Sequence, residues 1–174
     1  MKTLFTLTLA GLLGLLPLAS QAQAAKLSDA QIAAVVVAAN EVDIDAGKLA
    51  QKQASDKGVK DFAKQMETDH EGVNKQAKDL VKKLKIEPEE NDTSKGLKSD
   101  GEANIKRLRE MKGKEFDKAY IDNEVTYHQT VINAMDKTLI PNAKNASLKD
   151  LLVKVRPAFV AHLDHAKKLQ AGMK

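Results

Sequence analysis

Four stretches of the chain repeat apolar residues at the spacing of one helical face, and each stripe is interrupted by a polar side chain. In the first, Ile32, Val36, Ala39, Ala46 and Ala50 share a stripe with Asp43. The second runs through Val59, Phe62, Ala63, Met66, Val73, Ala77, Leu80 and Leu84, with His70 filling the slot between Met66 and Val73. In the third, Ala119 to Leu139, His128 takes the slot between Val125 and Ile132. The fourth carries Leu148, Leu152, Val155, Phe159, Ala166 and Leu169, and there the slot holds His162. No alternating strand pattern competes, so the pattern predicts an all-α fold.

Local signals set the expected boundaries. Ser28 with Gln31 is a capping box that opens a helix reaching about Ser55. Asp56 and Gly58 mark a short connection, and the second helix ends before Glu87-Pro88. Residues 93 to 111 form a weaker helix, with Leu97, Ile105, Leu108 and Met111 on one side and Gly96 and Gly101 lowering its propensity. It reads as a crossover. A loop around Gly113 leads to the third stripe, which the pattern ends before Pro141. In the last helix, Pro157 predicts a kink or a restart just before the histidines.

The first residues obey a different rule. Lys2, the apolar run Leu4 to Leu18 and the small-x-small sequence Ala22-Gln23-Ala24 have the form of a secretory signal peptide, residues 1–24, leaving a domain of residues 25–174. That run is shorter than the roughly 20 residues needed to span a bilayer, and no later run is apolar enough to do so. The expected location is therefore periplasmic or secreted, with no stable membrane span after signal removal. Lys2 is the one charged side chain in this segment, so its removal takes the formal charge from +4 to +3. The lysines at 75, 78, 82, 83 and 85 lack interleaved aromatic residues that would stack on bases, which argues against nucleic acid as a partner.

There is no cysteine, which removes disulfides and thiolate metal sites together. Histidine and carboxylate remain as ligands, and they suit iron, zinc, manganese, nickel or oxidised copper. Each histidine alone is an ordinary hydrogen-bonded core residue. Asp43, His70 and His128 lie near the middles of helices of similar length, where an antiparallel packing brings them to one level. His162 lies beyond the middle of its helix, and the kink expected there leaves its level open. Glu67-x-x-His70 and His162-x-x-His165 add donors, Glu124 lies one turn before His128, and Asp69 points elsewhere on its helix. Burying so many polar groups is costly unless they satisfy one another or a ligand. Tyr120 and Tyr127 are candidate redox or hydrogen-bonding neighbours.

Asn40 through Ala50 (NEVDIDAGKLA), Phe62 through His70 (FAKQMETDH), Phe116 through His128 (FDKAYIDNEVTYH) and His162-x-x-His165-Ala166 resemble the exported bacterial proteins grouped as domain of unknown function 4142. The resemblance implies a ferritin-like four-helix bundle, two helix pairs joined by a long crossover for which residues 86 to 113 are suited. It implies no reaction. Against the di-iron pattern of that wider class, Asp43 matches one acid, Glu67 and His70 one Glu-x-x-His, and Glu124 the second acid. His162-x-x-His165 departs from that pattern and His128 is additional, so a mononuclear, histidine-rich site is the closer fit. The expected ligands are Asp43, Glu67, His70, Glu124, His128, His162 and His165. A metal-free envelope stress or interaction protein with a structural polar cluster is the alternative, and an oxidase or peroxidase using the metal is a third reading.

Overall fold

The computed structural model describes residues 26–173, and among these every element is helical. In chain order they are α1 (Asp29–Gln53), α2 (Lys57–Leu84), α3 (Asp92–Arg109), α4 (Gly113–Ala134), a π-helical turn (Met135–Leu139), the short α5 (Ile140–Asn142) and α6 (Ala146–Gly172). The expected signal peptide lies outside the described residues. No described helix is long and apolar enough to cross a membrane.

The capping box at the start of α1 forms in both directions: Ser28 Oγ accepts from the Gln31 amide at 3.1 Å, and Gln31 Oε1 accepts from the Ser28 amide at 3.1 Å. The connection from α1 to α2 is only residues 54 to 56, because Asp56 caps α2 through the Val59 amide at 3.0 Å. So short a link folds α2 back along α1. Gly47 makes the approach possible, since a Cβ there would stand 2.8 Å from the Ala63 carbonyl oxygen of α2. Gly101 does the same for α3, where a Cβ would lie 2.8 Å from both methyl groups of Val42 on α1. A residue that weakens helix α3 in isolation is thus what seats it.

The expectation at Pro141 is corrected, and of the kink or restart expected at Pro157 the restart does not occur. The helical run does not stop before Pro141, because the π turn widens the helix there and Ile140 donates to the Met135 carbonyl five residues back. The proline ring is thereby spared the clash that a regular α-turn would impose. Nor does α6 restart at Pro157. This residue is on the exposed face, where water satisfies the carbonyl that lost its donor.

Helix α1 packs on α2, α2 on α6, α6 on α4 and α4 on α1, closing a cycle of contacts, while α3 lies outside against α1. The apolar interior falls into two clusters. One gathers Ile32, Val36, Val73, Val131, Met135, Leu152 and Phe159, and the other Ala50, Phe62, Met66, Phe116, Tyr120, Ile121 and Ala166. Along α1, α2 and α4 a polar residue separates the part that joins one cluster from the part that joins the other. On α6 a polar residue lies near the change, with Phe159 and Leu163 of the first cluster on either side of it and Ala166 of the second one turn on. These residues are Asp43, His70, the Glu124–His128 pair and His162. The interior therefore has a polar layer between two apolar ones.

Candidate metal centre

All five side chains of this layer are withdrawn from solvent, the most accessible being His162 at 3 %. Centroids of the three imidazole rings are 5.3 to 5.6 Å apart. Phe159 closes one side, 4.9 Å from His70. Ligand atoms of His70, His128 and His162 lie within 4.8 Å of one another, and so do those of Asp43, Glu124 and His128. Three atoms so spaced share a point no more than about 2.8 Å from each, so binding at the metal–nitrogen distance of about 2.0–2.1 Å would draw them inward by up to about 0.7 Å.

Hydrogen bonds on the far side of each ring settle which nitrogen faces inward. His128 Nδ1 lies 3.0 Å from the backbone carbonyl of Glu124, an acceptor only, so Nδ1 carries the proton and Nε2 presents a lone pair. His70 Nδ1 donates to Asn40 Oδ1 at 2.8 Å. Asn40 holds that orientation because its Nδ2 donates to the Val36 carbonyl at 2.7 Å. On α6, His162 Nε2 donates to Asp69 Oδ2 at 2.9 Å, and Nδ1 has no partner. The three atoms left without partners are His70 Nε2, His128 Nε2 and His162 Nδ1. An oriented imidazole whose other nitrogen bonds a carbonyl or carboxylate is the arrangement in which proteins present histidine to metals.

Asp43 sharpens the conflict. Its Oδ2 is 3.1 Å from His70 Nε2 and 3.5 Å from His128 Nε2, but neither nitrogen has a proton to donate. Both Asp43 oxygens and Glu124 Oε2 are buried with no donor from the rest of the chain, and a proton shared between the two carboxyls is the one hydrogen bond open to them. Lone pairs facing a carboxyl group repel unless a proton or a cation lies among them. Burial, opposed in part by the neighbouring imidazoles, raises the Asp43 pKa; burial and then the facing Asp43 carboxyl push Glu124 well above its usual range. Burial drives His70 down to about 3 and His128 to about 4. At neutral pH both rings are thus unprotonated and ready to ligate.

The remaining expected ligands are elsewhere. Glu67 turns to the α1–α2 surface, where Gln51 donates to it and Lys48 stands 3.7 Å away. His165 is half-buried, with Nδ1 3.2 Å from Gln65 Oε1 and its ring edge-on to Phe62. The structure does not bring these two to the cluster. Conversely, Asp69 does not point away but reaches His162. Asn40 was not among the expected site residues, although it lies three before Asp43, a spacing that puts both on the inward side of α1. No such signal marks Asp69.

A family model described as Domain of unknown function (DUF4142) matches residues 16–169, and the chain belongs to that family. Comparison with curated proteins found no match, and comparison with solved structures found none either.

Proposed function

We propose that the chain is an exported ferritin-like four-helix-bundle protein whose interior binds one transition-metal ion. His70, His128 and His162 supply nitrogen, and Asp43 and Glu124 supply carboxylate oxygen. The carrying observation is that all three histidines are held by hydrogen bonds at one nitrogen and left bare at the other. A bound ion supplies the positive charge on which these lone pairs and carboxyl groups converge. The protein's own contribution is orientation: Asn40, the Glu124 carbonyl and Asp69 fix the rings, and the apolar layers exclude water. A structural polar layer would satisfy its own members, and this one leaves buried acceptors unmatched.

Export rests on the form of residues 1–24. The bundle reading rests on the cycle of α1, α2, α6 and α4, with α3 in the crossover between the helix pairs. Elemental analysis of the mature chain after incubation with iron, manganese, zinc, nickel or copper and desalting tests the site directly. About one ion per chain and a raised melting temperature are expected. Metal content unchanged in the His70→Ala, His128→Ala double variant would overturn the assignment.

A further inference from the structure

Tyr120 has no accessible surface, and its hydroxyl has no hydrogen-bond partner. A buried hydroxyl left this way is unfavourable, so the missing partner is informative. Tyr127, the other tyrosine, makes the contrast: its hydroxyl donates to the Ala39 carbonyl at 2.7 Å. The Tyr120 ring is fixed between Phe62, edge-on at 6.2 Å, and Phe116, stacked at 6.3 Å. Along α4, Tyr120, Glu124 and His128 follow at intervals of four, one above the other on a single face. Tyr120 therefore stands one turn beyond the carboxylate end of the proposed centre, and the Glu124 and Asp43 carboxyl groups act electrostatically on its hydroxyl.

Tyr120 Oη, Glu124 Oε2 and both Asp43 oxygens are buried without a partner, and because Asp43 Oδ2 faces the imidazole nitrogens, three remain. A buried water typically makes about three hydrogen bonds, which matches this number of partners. Were all five ligands proposed above to hold one ion, a six-coordinate ion would keep one position open. We infer that the carboxylate end of the centre is a seat for one small exogenous ligand, water or a small anion, which binds the ion and accepts a hydrogen bond from Tyr120. This rests on the metal reading above. It assigns Tyr120 a direct contact with the ligand, and the burial of Tyr120, Glu124 and Asp43 limits that ligand to a few atoms.

Cobalt(II)-loaded protein titrated with azide tests the seat, read by visible absorption, with Tyr120→Phe as the variant because it keeps the ring and removes only the hydroxyl. Cobalt content is measured first. The expected result is a saturable 1:1 spectral change with azide, weakened at least fivefold in Tyr120→Phe at unchanged cobalt content. The metal-free variant should melt no lower than the parent, since an unpartnered hydroxyl has been removed. No cobalt bound would overturn the metal reading and this inference with it. Cobalt bound without an azide response, or with equal azide affinity in the two proteins, would overturn the inference alone. Loss of cobalt in Tyr120→Phe would make the tyrosine a ligand instead of the donor to one, and a lower melting temperature would show that its hydroxyl has a partner in the protein.

Discussion

Asp117 and Asp43 are equally hidden, at 3 % and 1 % exposure, but they serve opposite purposes. Asp117, on α4, reaches the connection between α1 and α2 and accepts from the Ser55 amide at 2.8 Å, the Asp56 amide at 2.9 Å and the Ser55 hydroxyl. Its oxygens are met by donors within the chain, and it fastens the three-residue connection between α1 and α2 to a helix far away in sequence. Asp43 meets two imidazole lone pairs and another carboxyl group. Burial alone therefore does not identify a functional carboxylate. What does is whether the surroundings complete its hydrogen bonding or leave it waiting for a ligand.

The comparison can be broken most forcefully at Asp117. Asp117→Ala strands three donors and should lower unfolding free energy by about 3 kcal/mol or more, while the folded protein keeps its metal content. Denaturant melts and elemental analysis check both halves, and a loss of metal without a loss of stability would reverse the roles assigned here. Asp43→Asn should do the opposite: metal affinity falls by about 100-fold and the metal-free protein is as stable as the parent or more so. Competition with a chromophoric chelator gives the first, and urea unfolding the second.

The pH dependence of the metal-free protein sharpens the same contrast. Folding holds His70 at about 3 and His128 at about 4, both below the ordinary 6.5, so the unfolded chain binds more protons between those values. Their contribution makes stability fall as pH drops below about 6.5. Glu124 runs the other way. Its folded pKa lies above the ordinary 4.5, so the folded state keeps a proton that the unfolded chain releases, and stability falls as pH rises from 4.5 through the folded value. Urea midpoints from pH 5 to 8 should therefore fall less above pH 6.5 in Glu124→Gln than in the parent. Parallel curves would refute the assignment.

Smaller effects belong to the outer shell. Asn40→Ala removes the acceptor that orients His70 and should weaken metal binding by about 10-fold to 100-fold without abolishing it. Glu67→Gln and His165→Gln should change affinity by less than about twofold, because neither reaches the cluster and surface contacts carry little energy. A large loss from either would place it in the site.

Much of the site was legible in the helical period. Asp43, His70, His128 and His162 replace apolar residues on buried stripes, and a repeat of 3.6 residues per turn fixes which side of its own helix each one occupies. The same rule kept Glu124 beside His128, one turn away and only about 40° around the axis. Glu67 and His165 are each three residues from a site histidine, about 60° around the axis, and here that rotation carried them to the surface and the flank.

The sequence by itself determined the helices, the absence of thiolate chemistry and a polar interruption in each of four apolar stripes, because these follow from local spacing and residue type. Only the tertiary structure decided that Asn40 steadies His70, that Asp69 reaches His162 from another helix, and that Asp43 meets two bare nitrogens instead of two donors. Such pairings depend on how far each helix is rotated and displaced against its neighbours. Packing of whole side-chain faces sets those quantities, and a one-dimensional repeat does not contain them.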